Sequence, residues 1–133
     1  IFTVSLPSKE VLIVLTLYAF GAHGIMTMND FKATKGDKLL GVNSLPVILG
    51  RKTATLVACL IMLFPQLVVI SLFYFWGSLI LASTLSFCVL LQASSMTFLM
   101  RDPEKNTPIF NMTGVLLYIT GMMLSANGLY LMN

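Results

Sequence analysis

The chain has 133 residues and a mass of 14.6 kDa, with 57% hydrophobic residues, 10% charged residues and a mean hydropathy of +0.91. An ordinary soluble domain carries roughly 25% charged residues, so the composition excludes a soluble enzyme, a disordered tail and a nucleic-acid-binding module, and leaves an all-α integral membrane protein with little mass outside the bilayer. The net charge of +3 is small; in a membrane protein the placement of the positive residues matters more than their sum.

Four stretches of 18 to 24 residues hold no Asp, Glu, Lys or Arg and are long enough to cross the hydrocarbon core as helices: 11–28, 53–75, 78–100 and 109–132. Barrel strands would be about half as long and would alternate in polarity. Before the first span, residues 1–10 carry one positive side chain, Lys9. Ile1 is not a start methionine and no small-residue cleavage site follows a charged start, which reads as a chain beginning part-way through a longer polypeptide. The connection 29–52 carries five positive residues, Lys32, Lys35, Lys38, Arg51 and Lys52, and the connection 101–108 carries Arg101 and Lys105. The second and third spans meet at Trp76-Gly77 without a charge. Seven of the eight positive residues therefore fall on one side, which the positive-inside rule makes cytoplasmic, with both termini opposite. Trp76, Tyr74 and Tyr130 fall near the expected outer boundaries, where amphipathic rings settle.

Within the spans the bland readings are packing. Cys59 and Cys88 lie in apolar runs and read as small apolar residues, with no disulfide or metal role. Gln92 reads as packing or a helix–helix hydrogen bond. Gly114, Gly121 and Gly128 recur every seven residues along one helix face; they let a neighbouring helix approach closely, and the alternative is a groove for a flat ring or a prenyl chain.

The connection 29–52 is different in kind. Asp30 and Asp37 are seven residues apart. If the first helix continues past the membrane surface, they share a face, about 10.5 Å apart along the axis. That is too far for both to bind one ion directly. It suits two carboxylates flanking a diphosphate, because Mg²⁺ is usually held by one or two carboxylates together with phosphate and water oxygens. Lys32, Lys35 and Lys38 would complement the phosphate charge. The competing reading is a solvated, charge-mixed loop that only fixes topology.

The run Asn29-Asp30-Phe31-Lys32, Gly36-Asp37-Lys38, Gly41, Ser44-Leu45-Pro46-Val47 resembles the second aspartate-rich region of the UbiA superfamily of intramembrane prenyltransferases, in the form NDFK-x-x-E-G-D-R/K-x-x-G-x-x-SLPV found in its chlorophyll- and bacteriochlorophyll-synthase branch. Gly21-Ala22-His23-Gly24-Ile25-Met26-Thr27, Pro65-Gln66-Leu67-Val68-Val69 and Asn111-Met112-Thr113-Gly114 are similar to the bacterial members. The resemblance spans essentially all of residues 1–133 and implies the C-terminal part of a nine-helix bundle; the first aspartate-rich region, N-x-x-x-D-R-x-x-D, does not occur in this sequence.

The resemblance implies a prenyltransferase of a bacterial photosynthetic inner membrane. Mg²⁺ would bind the diphosphate of a geranylgeranyl or phytyl donor, and the propionate of bacteriochlorophyllide would take the prenyl group as an ester. Asp30 and Asp37 match the acidic metal-ligand positions. Asn29, Lys32 and Lys38 match flanking positions expected to touch the diphosphate. Lys35 departs from the pattern, standing where the branch usually has Glu. His23, the single histidine, is a candidate pigment contact, either as axial ligand to the central magnesium or as a polar contact to the propionate; the alternative is an interhelical hydrogen bond. The implied partners are the two substrates, the lipid bilayer, and either an N-terminal half or other membrane subunits of the photosynthetic apparatus. The contrasting reading is a non-catalytic subunit of the same descent that binds pigment, lipid or quinone or acts as a scaffold. A quinone-type prenyltransferase would share the donor chemistry but has a different second region.

Overall fold

The computed structural model describes residues 6–132. Its order is α1 (Lys9–Asp30), α2 (Thr34–Leu40), α3 (Leu45–Leu49), α4 (Arg51–Phe75), α5 (Leu79–Arg101) and α6 (Pro103–Met132). α1, α4, α5 and α6 are the four membrane-spanning helices expected from the apolar stretches. They form an all-α bundle in which α4 packs against α1, α5 and α6, and α6 closes back onto α1. α1 and α5 run toward the end that carries the charged connections, and α4 and α6 run away from it.

Helix boundaries follow local chemistry more than hydropathy. Ser8 caps α1, its side-chain oxygen accepting from Val11 N–H at 3.4 Å. At the other end of the bundle α6 begins at Pro103, well before the apolar stretch at 109. A single residue, Asp102, therefore separates α5 from α6, where the composition had pointed to a loop over 101–108. The reason is a strong start signal: Asp102 accepts the Lys105 backbone N–H at 3.2 Å, and Pro103 occupies the first helical position, where its missing donor costs nothing. Asn106 then donates its side-chain amide to the Phe98 carbonyl at 2.9 Å and locks the corner. Apolarity marks where the bilayer is, and the capping residues mark where the helix is.

Three helices meet around a buried polar cluster. Tyr118 on α6 donates its hydroxyl to the Tyr18 carbonyl on α1 at 2.5 Å. The two rings stand edge to face at 5.3 Å, and the Tyr18 hydroxyl lies 3.1 Å from that of Ser125. Gly114, Gly121 and Gly128 are all buried; the close approach of a neighbouring helix holds at Gly121 and Gly128, whereas Gly114 is covered by Phe110 of its own helix. A Cβ on Gly121 would stand 3.2 Å from the Tyr18 hydroxyl and 3.8 Å from Gln66 Oε1 of α4, and one on Gly128 would collide with Leu81 of α5. Trp76 caps α4 with its ring edge-on to Phe73, and Tyr74 and Tyr130 are exposed, consistent with an interfacial position.

Gln92 on α5 follows the packing alternative and not the hydrogen-bonded one. It is 0% exposed, as packing requires, yet neither side-chain amide atom finds a hydrogen-bond partner among the described residues. An unpaired buried amide costs roughly 1–3 kcal/mol. Replacing Gln92 with Met, of similar shape, is therefore expected to raise the stability of the purified protein by about that amount. The thermal midpoint in detergent checks this, and a lowered midpoint would count against an idle amide.

Candidate functional site

The site is built on the end of α1. One side of this helix, with Val14, Tyr18, Gly21, Gly24, Thr27 and Met28, is buried against the bundle. The opposite side, with Thr16, Ala19, His23 and Met26, is exposed. Asp30 lies in line with His23, since seven residues make nearly two turns of one continuous helix. The open face of α1 thus leads from an imidazole to a carboxylate at the charged end.

The chain does not continue straight from there to Asp37. Successive i→i+3 hydrogen bonds close the helix: Phe31 N–H to Met28 O at 3.3 Å, Lys32 N–H to Asn29 O at 3.3 Å and Ala33 N–H to Asp30 O at 3.0 Å. Phe31, 4% exposed, packs into the core and anchors the turn. A new helix, α2, then starts at Thr34 and ends at Gly41, whose φ of 69° lets the Val42 N–H reach the Asp37 carbonyl at 2.8 Å. Asp30 and Asp37 consequently sit on two helices joined by a tight turn. The one-helix geometry expected from their spacing does not hold, because the 3₁₀-type bonds at 31–33 break the register.

Asn29 and Asp30 end α1, Lys32 lies in the turn, and Asp37 and Lys38 lie on α2. Asp30 and Asp37 are half-buried, whereas Asn29, Lys32, Lys35 and Lys38 are exposed. Neither carboxylate takes a hydrogen bond or ion pair among the described residues, and Lys35 pairs with neither of them. Lys32 lines a recess of about 300 Å³ with Phe31, Glu104, Thr107 and Pro108. Glu104, at the start of α6, is ion-paired with Arg51, at the start of α4. His23 is placed apart from this group, two turns back along α1. Its ring meets Phe20 edge-on at 6.4 Å and makes no interhelical hydrogen bond among the described residues.

Two features of the site escaped sequence reasoning. The Arg51–Glu104 pair spans 53 positions and leaves no local signal. Thr34 did leave one: a threonine four residues after the last residue of a helix is placed to bond back to it.

Two oxygen-donor carboxylates without protein partners fit a hard divalent cation. No third His, Cys, Asp or Glu completes a metal-holding group among the described residues. An ion held there would take its remaining ligands from phosphate and water oxygens, as is usual for Mg²⁺.

The UbiA prenyltransferase family matches residues 1–127. The chain is 48% identical over 120 residues to the bacteriochlorophyll synthase 33 kDa chain of Cereibacter sphaeroides, covering 90% of this chain and 40% of that protein. It is 42% identical over 120 residues to the 33 kDa chain of Rhodobacter capsulatus, with the same coverage. It is 40% identical over 124 residues to the bacteriochlorophyll synthase 34 kDa chain of Chloroflexus aurantiacus, covering 93% of this chain and 40% of that one. The chain thus spans about two fifths of the length of these curated relatives. No solved structure gives a significant match.

Proposed function

The chain belongs to the UbiA prenyltransferase family, and from that premise we propose that it forms part of a bacteriochlorophyll-synthase-type prenyltransferase, which moves a geranylgeranyl or phytyl group from its diphosphate to the propionate of bacteriochlorophyllide. The observation that carries this reading is the pair of half-buried, unpartnered carboxylates of Asp30 and Asp37 at the charged end of a membrane bundle.

In the reaction the allylic C–O bond to diphosphate breaks, the diphosphate leaves with the electron pair, and a propionate oxygen forms the new ester bond. Bound Mg²⁺ supplies Lewis-acid stabilisation of the leaving group. Asp30 and Asp37 hold that cation, and Lys32 and Lys38 place positive charge beside the diphosphate, with Asn29 as a neutral donor. His23 faces the same side of α1 as Asp30, two turns deeper, where it contacts the pigment. The apolar spans keep water from the electron-deficient prenyl carbon.

The membrane is the intracytoplasmic photosynthetic membrane of a bacterium, with residues 29–52 on the cytoplasmic side. The open face of α1 is covered by further polypeptide, either more of the same protein or another membrane subunit of the photosynthetic apparatus.

Membranes carrying the longest continuous reading frame that contains this chain provide the test. They should esterify bacteriochlorophyllide when given labelled geranylgeranyl diphosphate, stop on addition of EDTA and recover with Mg²⁺. Pigment that co-purifies with the protein without being esterified would favour a non-catalytic pigment-binding subunit, the reading to which the Lys35 exchange beside Asp37 lends support.

A further inference from the structure

We propose that Thr34 is a positioning residue that sets Asp30 against Asp37, an inference that rests on the metal–diphosphate reading of those carboxylates. Neither acidic side chain is held by a hydrogen bond among the described residues, so their relation is set by backbone alone. The backbone between them is the turn 31–33, and one side chain spans it. Thr34 is 4% exposed, and its hydroxyl oxygen lies 3.2 Å from the Asp30 carbonyl oxygen and 3.1 Å from that of Phe31. Those carbonyls belong to the end of α1, where helical partners run out. The same residue opens α2, whose first turn carries Asp37, with the Asp37 N–H bonded to the Ala33 carbonyl at 2.8 Å.

Other hydroxyl side chains also bond back along the chain, such as Thr27 to the His23 carbonyl at 3.0 Å and Thr55 to the Arg51 carbonyl at 2.7 Å. Those bonds lie within one helix and change no relation between elements. The Thr34 hydroxyl instead joins the last residue of one helix to the first residue of the next. Its single proton is shared between two carbonyls, and β-branching restricts χ1. Removing the hydroxyl leaves the Phe31 carbonyl without its donor and the Asp30 carbonyl with the Ala33 N–H alone, and the junction relaxes to compensate. Asp37 then moves relative to Asp30 while both carboxylates survive intact.

The test uses the complete protein in detergent, with Mn²⁺ and inorganic pyrophosphate as the probe and electron paramagnetic resonance as the readout. Thr34→Val, which keeps shape and removes the hydroxyl, is expected to weaken Mn²⁺ binding by about tenfold or more, the usual scale for a group that orients a metal ligand. Thr34→Ser is expected to restore it. Should the valine variant not fold, Thr34→Ala removes the same hydroxyl with no added bulk and carries the same expectation. A Thr34→Val protein with a lowered thermal midpoint but unchanged Mn²⁺ affinity in its folded fraction would overturn the positioning role and leave a merely structural one. Asp37→Asn separates the two levels. If it abolishes binding while Thr34→Val does not, only the role of Thr34 falls. If Asp37→Asn has no effect, the metal reading falls and the role of Thr34 falls with it.

Discussion

Asp37→Asn is expected to lower esterification of bacteriochlorophyllide by about 10²–10³-fold, the usual cost of deleting one preorganised group that stabilises developing charge. The substitution keeps size and hydrogen-bonding capacity and removes the negative charge. Asp37 is half-buried and unpartnered among the described residues, so nothing in the fold depends on its carboxylate. The loss should therefore appear in turnover with the thermal midpoint unmoved. Asp30→Asn should behave alike. The double variant should be little worse than either single one, because residues that act as a unit are strongly non-additive. Turnover unchanged by Asp37→Asn, in membranes that contain the intact reading frame, would remove the central support of the proposed function.

The same two residues mark how far the sequence could be read. Their candidacy comes from the sequence: acidic residues at the edge of an apolar span, among lysines, with a run of flanking residues that resembles one family. Their geometry does not. A spacing of seven suggests one helical face, and that inference fails because α1 stops at Asp30 and three i→i+3 bonds carry the chain through 31–33 to a new helix. A periodicity rule assumes one continuous helix and does not register such a turn. The spacing rule does hold for the pair it was not applied to, His23 and Asp30, since α1 is continuous across both.

The spans show the same division. Their number and approximate limits followed from hydropathy, because bilayer thickness imposes a length on any crossing helix. The start of α6 did not, although Asp102-Pro103 carries the capping signal in plain view. Polar residues at 102–105 hide a helix from a hydropathy reading but have no bearing on whether the backbone can be helical. Burial was legible only in part. Gly121 and Gly128 of α6 sit at helix contacts as expected, but nothing in the sequence distinguishes the unpaired amide of Gln92 from the amide of Gln66, which donates to the Met62 carbonyl at 3.0 Å.

Gly24→Leu is expected to destabilise the bundle by about 3 kcal/mol, near the upper end for overpacking of a tight interface. Between membrane helices apolar burial supplies little drive, and association depends on close contact of small residues. At the α1–α4 contact those residues are Gly24 on one side and Ala58, 0% exposed, on the other. A Cβ on Gly24 would run into the Ala58 backbone carbonyl, and backbone cannot turn aside as a side-chain tip can. Leucine there must push α1 away from α4. Gly36 supplies the control: a Cβ there meets nothing within 4 Å, so Gly36→Ala should hold or slightly raise stability through helix propensity. Thermal midpoints in detergent compare the two, and a Gly24→Leu protein as stable as the unsubstituted one would mean that α1 is not seated on α4 as described. The consequence reaches the site directly. α1 is rigid from its seat at Gly24 to its last residue, Asp30, whereas Asp37 is carried on α2, which packs against α3. Displacing α1 from α4 therefore moves Asp30 while leaving the support of Asp37 in place, so activity should fall in whatever fraction of the variant remains folded.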